Sequence, residues 1–116
     1  MQIALISDPV NVNYTEIVNR TIESHHNLVI ECVTSAIVKL GHKVECVEAN
    51  NELKEQILRI KPQIVFNRSL RKDDKSGLAF SPSLLDELSI SYTGSNAEVC
   101  VSAFDKNKTK NILRKA

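Results

Sequence analysis

Aromatic residues and glycines are scarce in this chain. Of its 116 residues none is tryptophan, two are tyrosine, three are phenylalanine and three are glycine. A folded core must therefore rest on isoleucine, leucine and valine. The turn after the first apolar segment, Ser7-Asp8-Pro9-Val10-Asn11, lacks the glycines that let a backbone approach a pyrophosphate, which excludes a dinucleotide-binding fold. The sequence has no glycine-rich loop ending in Lys-Ser/Thr either, which excludes a P-loop.

Cysteines and long apolar runs are also few. Cys32, Cys46 and Cys100 are odd in number and far apart, which suggests neither a disulfide framework nor a zinc site and predicts free buried thiols. No apolar run approaches the ~20 residues of a membrane-spanning helix, and the N-terminus has no signal-peptide pattern. We therefore expect a cytoplasmic protein that binds no metal through this region and contacts neither membrane nor nucleic acid.

Charge is unevenly distributed along the chain. The net charge is +1, but residues 105–116 carry five basic groups and one acidic group, whereas residues 1–104 carry ten basic and thirteen acidic groups. A basic terminal helix is suited to meeting an anion. Such runs are more often solvated helix faces, so charge alone does not decide between these two interpretations.

Hydrophobic periodicity predicts alternating strands and helices. Apolar runs of strand length occur at 2–7, 43–48, 63–66 and 90–92. A helix is predicted from Asn27 to a cap at Gly41, and residues 8–26 favour either a loop or an earlier start of that helix. Its apolar stripe is expected to face the core; the stripe consists of Leu28, Cys32, Val33, Ala36, Ile37 and Leu40.

Three further helices complete the pattern. Asn50 or Asn51 is predicted to cap the first of them, which Pro62 ends. Ser81 is predicted to cap the second, with Pro82 at its first helical position, and Asp105 is predicted to cap the third. Strands joined by helical crossovers pair in parallel. The expected fold is therefore α/β, a three-layer sandwich with a mostly parallel, Rossmann-like sheet of about four strands.

The segment 67–81 is long, charged and without periodicity. It follows the third predicted strand, at the edge of a parallel sheet where ligands tend to bind, and loops of this length are usually functional or disordered. Asn67 and Arg68 are expected to be ordered next to a substrate pocket, because arginine grips carboxylates in bidentate fashion. Residues 72–77 are expected to be mobile, and a solvated loop without function is the alternative.

Several short motifs occur in a recognisable order. The pattern resembles the N-terminal, pre-ATP-grasp domain of the D-alanine–D-alanine ligase family. The motifs are Leu40-Gly41-His42-x-Val44, Ile64-Val65-Phe66-Asn67, Pro82-x-Leu84-Leu85-x-x-Leu88, Ile90-x-Tyr92-Thr93-Gly94-Ser95 and Asp105-Lys106-x-x-Thr109-Lys110.

The resemblance implies an ATP-dependent carboxylate–amine ligase that works through an acyl phosphate. Residues 1–104 would form the pre-ATP-grasp domain and residues 105–116 the start of a truncated ATP-grasp domain. Lys106 would contact ATP, and Asn67, Arg68 and Ser95 would bind the substrate. ATP and Mg²⁺ would serve the full-length enzyme, whereas the 116-residue chain alone is expected to be inactive and to hold no cofactor.

Two departures from the family fall on substrate-facing loops. The family's Gly-Gly-x-Ser-x-Glu and Gly-Glu-Asp-Gly loops are absent, so Glu16 is only a candidate catalytic residue and the amino acid or peptide substrate stays open. The resemblance also suggests a possible homodimer through this domain. The alternative function is a freestanding, non-catalytic α/β domain that binds a small molecule or associates with itself.

Overall fold

The computed structural model describes residues 1–8, 16–69 and 79–116, without the side chains of residues 16–23 and 104. Three strands and five helices are defined in these ranges. In chain order they are β1 (Gln2–Ser7), α1 (Glu16–Lys39), β2 (Lys43–Glu48), α2 (Leu53–Ile60), β3 (Ile64–Asn67), α3 (Phe80–Glu87), α4 (Ala97–Phe104) and α5 (Lys106–Lys115).

The strands form one parallel sheet in the order β2-β1-β3. In its register Leu5 of β1 lies beside Cys46 of β2 and Phe66 of β3. Because β1 is central, its residues from Ile3 to Ser7 are all buried. The α/β class and the parallel sheet predicted from the sequence are confirmed.

Helices cover both faces of the sheet. Ala4 and Ile6 of β1 share a buried cluster with Leu53 and Ile57 of α2 and with Leu85 of α3. Side chains alternate along a strand, so Leu5 and Cys46 point to the opposite face. There the Thr34 hydroxyl of α1 lies 3.6 Å from the Cys46 thiol, which places α1 over this second face.

The predicted fourth strand is wrong in extent. Only a single parallel bridge joins Tyr92 to Val65 of β3. Its two backbone hydrogen bonds run from the Val65 amide to the Ser91 carbonyl and from the Thr93 amide to the Val65 carbonyl, both at 2.9 Å. A turn follows at once, with Gly94 at a φ of +95°, so the ladder cannot extend further.

The predicted cap of α3 is also wrong. The helix begins at Phe80 with Ala79 before it, so Ser81 and Pro82 lie within the first turn. Both are buried, and the Ser81 hydroxyl has no hydrogen-bond partner among the described residues. The residue in the N-cap position of α2 is Glu52, not Asn50 or Asn51. The Asn50 side chain nevertheless accepts a hydrogen bond from the Glu52 amide at 3.0 Å, just ahead of the helix.

Helix α1 starts at Glu16, so the earlier of the two predicted starts is correct. Gly41 ends it as predicted. The Gly41 amide donates to the Val38 carbonyl at 3.0 Å, and the His42 amide donates to the Ile37 carbonyl at 3.3 Å. These are the two hydrogen bonds that define a Schellman cap. Gly41 supplies the left-handed φ of +86° that this cap needs.

The inward face of α1 agrees with the predicted stripe only in part. Ile37 is 8% exposed and faces the sheet, but Leu28 and Leu40 are 58% and 75% exposed. Cys32 and Ala36 are exposed as well. Val33 and Ile37 of the predicted stripe do turn toward the sheet, together with Ile30. The four exposed members lie about a third of a helical turn away from them.

The three cysteines are free thiols, as predicted, but they are not core residues. Cys32 and Cys46 are exposed and Cys100 is half-buried. Across the described ranges, no helix is long and apolar enough to cross a membrane.

Candidate functional site

The ends of the three parallel strands meet at one edge of the sheet. Asp8 follows β1, Ala49 follows β2, and Arg68 follows Asn67, the last residue of β3. Strand-like hydrogen bonds continue past the strands and hold this edge together. The Ala49 amide donates to the Ser7 carbonyl at 2.8 Å, and the Arg68 amide to the Ile6 carbonyl at 2.9 Å. Open parallel sheets bind ligands at this carboxyl edge.

A short hydrogen bond joins the segments after β1 and β3. The Ser69 hydroxyl donates to Oδ1 of Asp8 at 2.6 Å, in a partly buried position. The Ser69 amide donates to Oδ1 of Asn67 at 3.1 Å, which makes a tight turn around Arg68. Because the residues on either side of it are fixed, the Arg68 backbone is held at the edge and its side chain is half-buried there.

The turn after Tyr92 completes this cluster. The hydroxyl oxygen of Thr93 accepts a hydrogen bond from the Asn67 amide at 3.1 Å. Asp8, Ser69, Asn67 and Thr93 are thus linked in one chain of hydrogen bonds, which we name the carboxyl-edge cluster. Ser95 lies two residues further along and is exposed, and its carbonyl accepts from the Cys100 thiol at 3.5 Å.

The cap of α4 is Asn96. Its side chain accepts a hydrogen bond from the Val99 amide at 2.9 Å. Ser95 is therefore not engaged as this cap, and its exposed side chain belongs to the turn that Thr93 anchors.

Tyr92 is tied to the start of this turn by its phenol. The hydroxyl donates to Oδ1 of Asp86 at 3.0 Å. Burial raises the pKa of Tyr92, and the hydrogen bond to Asp86 and the charges of Asp86 and Cys100 raise it further. The phenol therefore stays protonated at neutral pH and acts as a structural donor between α3 and the turn.

Lys106 lies apart from the carboxyl-edge cluster in sequence and in contacts. It is the exposed first residue of α5, which packs against α4. Asp105 caps α5, its Oδ1 accepting from the Asn107 amide at 3.0 Å and the Lys108 amide at 3.2 Å. Among the described residues, no hydrogen bond links Lys106 to the cluster.

The junction between α4 and α5 is a tight corner. The Thr109 hydroxyl hydrogen-bonds the Ser102 carbonyl at 2.8 Å and the Asp105 carbonyl at 3.0 Å. This fixes the direction in which α5 leaves α4, and with it the direction of Lys106. No group of three or more histidine, cysteine, aspartate or glutamate side chains in the described part of the chain is placed to hold a metal ion.

The structure brings together only some of the residues predicted for the site. Asn67 and Arg68 lie at the carboxyl edge, and Ser95 belongs to the turn anchored there. Glu16 opens α1, but its side chain lies outside the described residues, as do residues 72–77, for which mobility was predicted. Sequence reasoning missed Asp8 and Thr93 as site residues, although the position of Asp8 directly after a buried strand was a usable signal.

Comparison with known proteins supports a ligase-like origin for most of this chain. It is similar to proteins named D-alanine--D-alanine ligase. The one from Anaplasma centrale is 32% identical over 82 residues, and the match covers 71% of this chain and 39% of the relative. The ligase from Moorella thermoacetica is 32% identical over 84 residues, covering 72% of this chain and 26% of the relative.

A third such ligase, from Aquifex aeolicus, is 33% identical over 84 residues, covering 72% of this chain and 28% of the relative. The matched region thus spans less than two fifths of these relatives, which leaves most of each enzyme without a counterpart here. No protein-family model matches the chain, and no solved structure matches it significantly.

Proposed function

We propose that this chain is the substrate-facing, N-terminal part of an ATP-dependent carboxylate–amine ligase. The observation that supports this most is its similarity, over 71% and 72% of its length, to proteins named D-alanine--D-alanine ligase. The carboxyl-edge cluster adds a structural reason, because it is an ordered polar cluster at the edge where parallel sheets bind ligands. Residues 1–104 would form the pre-ATP-grasp domain, and residues 105–116 the start of the ATP-grasp domain.

The substrate proposed for the carboxyl edge is an amino acid or a short peptide. Arg68 would bind its carboxylate, since a guanidinium pairs with a carboxylate through two parallel hydrogen bonds. Asn67 and Ser95 would contribute further polar contacts. Asp8 and Ser69 would act on the substrate only through Arg68, because their hydrogen bond fixes the backbone that carries it. Glu16 stays a candidate catalytic residue.

Lys106 is suited to neutralising a phosphate, because it is an exposed ammonium at the start of a helix. The Asn107 and Lys108 amides at that helix start already donate to Asp105, and the contribution proposed for this chain to ATP binding is the Lys106 side chain. In such ligases ATP would transfer its γ-phosphate to the substrate carboxylate, giving ADP and an acyl phosphate, and the amine would then attack the acyl carbon and release phosphate. The described residues offer no group of ligands for Mg²⁺, so we assign the ion no position on them.

The chain alone is proposed to be inactive, with a cytoplasmic location and a homodimer as further predictions from the resemblance. The competing function is a freestanding α/β domain that binds a small molecule without catalysis. One observation favours it: the carboxyl-edge cluster is hydrogen-bonded in this chain by itself, without any other domain.

A chimera tests the ligase proposal. All 116 residues of this chain would replace the corresponding N-terminal region of the ligase from Moorella thermoacetica, which includes the 84 matched residues. We expect the chimera to release phosphate from ATP when one of a panel of amino acids and dipeptides is added. A chimera that folds cooperatively and binds ATP, yet releases no phosphate with any member of the panel, would overturn the proposal in favour of the non-catalytic domain.

A further inference from the structure

A single residue joins the last two helices of the chain. Helix α4 ends at Phe104 and α5 begins at Lys106, so Asp105 alone lies between them. Its backbone is extended, with φ at −83° and ψ at 105°, and its amide donates to the Val101 carbonyl at 3.2 Å. Because a residue has only two soft backbone dihedrals, rotation about those of Asp105 sets the angle between the two helices. That angle is held only if a contact joins α5 to α4.

The Thr109 hydroxyl makes such a contact. Thr109 lies half-buried in the first turn of α5. Its hydroxyl oxygen is 2.8 Å from the Ser102 carbonyl and 3.4 Å from the Ala103 carbonyl, both in the last turn of α4, and 3.0 Å from the Asp105 carbonyl. The last carbonyls of a helix have no amide partner within that helix. The hydroxyl proton of Thr109 therefore ties α5 to carbonyls at the end of α4 that need a donor.

The direction of the Lys106 side chain depends on this contact. Lys106 is exposed and directly follows the joint at Asp105. The bonds that Asp105 accepts from the Asn107 and Lys108 amides shape the first turn of α5, but they do not join α5 to α4. Without the Thr109 contact α5 would be free to rotate about Asp105, and the ammonium of Lys106 would turn with it. A displacement of about 1 Å can cost roughly a hundredfold in the rate of an oriented reaction.

We propose that Thr109 is a positioning residue for ATP. Its hydroxyl locks the corner between α4 and α5, and the locked corner directs the Lys106 ammonium toward the phosphate. The second step rests on the proposed function, in which Lys106 contacts ATP. The first step, the lock of the corner, uses only the contacts of this chain.

Nuclear magnetic resonance of the 116-residue chain tests the lock. Residual dipolar couplings of the amides in α4 and α5 report the angle between the two helices. Thr109→Val keeps the shape of threonine without the hydroxyl, and its couplings should no longer fit one fixed angle. Thr109→Ser keeps the hydroxyl and should retain the wild-type angle. Thr34→Val is the matched control, because the Thr34 hydroxyl lies at the Cys46 thiol, on another helix. Wild-type couplings in Thr109→Val would overturn the proposal.

Kinetics of the chimera with the Moorella thermoacetica ligase test the effect on ATP. Thr109→Val should raise the KM for ATP about fivefold, because the loss of one neutral hydrogen bond shifts an equilibrium by that factor. The KM for the amino acid should not change, and Thr109→Ser should restore the KM for ATP. In a Lys106→Ala background, Thr109→Val should have no further effect, because the ammonium that the hydroxyl positions is absent.

The same measurements separate this inference from the proposed function. An unchanged KM for ATP in Lys106→Ala would refute the ATP contact of Lys106, and the positioning role of Thr109 would fall with it. If Lys106→Ala raises the KM for ATP, but Thr109→Val has no effect or has the same effect with and without Lys106, only the positioning role is overturned.

Discussion

The hydrogen bond between Ser69 and Asp8 offers a quantitative test of how firmly the carboxyl edge is built. The donor and acceptor oxygens are 2.6 Å apart and partly buried. A hydrogen bond to a charged acceptor contributes about 1.5–3 kcal/mol when well protected, and partial exposure places this one somewhat below that range. We therefore expect a coupling free energy of about 1 kcal/mol between the two side chains.

A double-mutant cycle isolates that coupling. Asp8 interacts with other groups besides Ser69, so a single substitution of Asp8 removes more than this bond. The cycle compares the wild type with Ser69→Ala, Asp8→Ala and the double variant by urea unfolding at neutral pH. A coupling within about 0.3 kcal/mol of zero would mean that the bond does not organise the edge, since independent sites show the same additivity.

Three further predictions address the turn at Tyr92, the helix caps and ATP. Since burial and the hydrogen bond to Asp86 raise the pKa of Tyr92 above its ordinary value of 10.0, stability due to this group is complete below that pH and is lost as the pH rises further. Above that pH the free energy of unfolding should therefore fall more steeply with pH in the wild type than in Tyr92→Phe. Equal slopes of the free energy of unfolding against pH in the two proteins would contradict this. Gly41→Ala should lower the free energy of unfolding by about 1 kcal/mol, because φ is +86° there, whereas Ser89→Gly, at a φ of +55°, should raise it by a smaller amount. Calorimetry of the 116-residue chain should detect no micromolar binding of Mg-ATP, and a micromolar affinity would show that more than Lys106 contacts the nucleotide.

The helices and strands were largely predictable because their apolar residues repeat with a clear period. Which side of α1 packs on the sheet was not fully predictable. Leu28, Cys32, Ala36 and Leu40 share a helical spacing, and so do Ile30, Val33 and Ile37 on the adjacent side. Both rows are apolar, and periodicity alone cannot decide which one packs on the sheet.

The candidate site was also predictable only in part. The position of Asn67 and Arg68 followed from the rule that ligands bind at the carboxyl ends of parallel strands. The roles of Asp8 and Thr93 did not, because their partners are distant in the chain: Asp8 meets Ser69 across 61 residues, and Thr93 meets Asn67 across 26. Such pairs depend on strand order and on where the Tyr92 bridge stops, neither of which a local pattern specifies.

The most direct test of the proposed function is the effect of Arg68→Ala on the kinetics of the chimera with the Moorella thermoacetica ligase. Loss of a charged hydrogen bond to the substrate carboxylate should cost about 1.5–3 kcal/mol. The KM for the amino acid should therefore rise roughly tenfold or more, while the KM for ATP stays unchanged. Arg59→Ala is the control, because Arg59 lies at the end of α2 and pairs with Glu45 on the surface. Equal changes in both KM values, or no change in either, would contradict the assignment of the carboxyl edge as the substrate site.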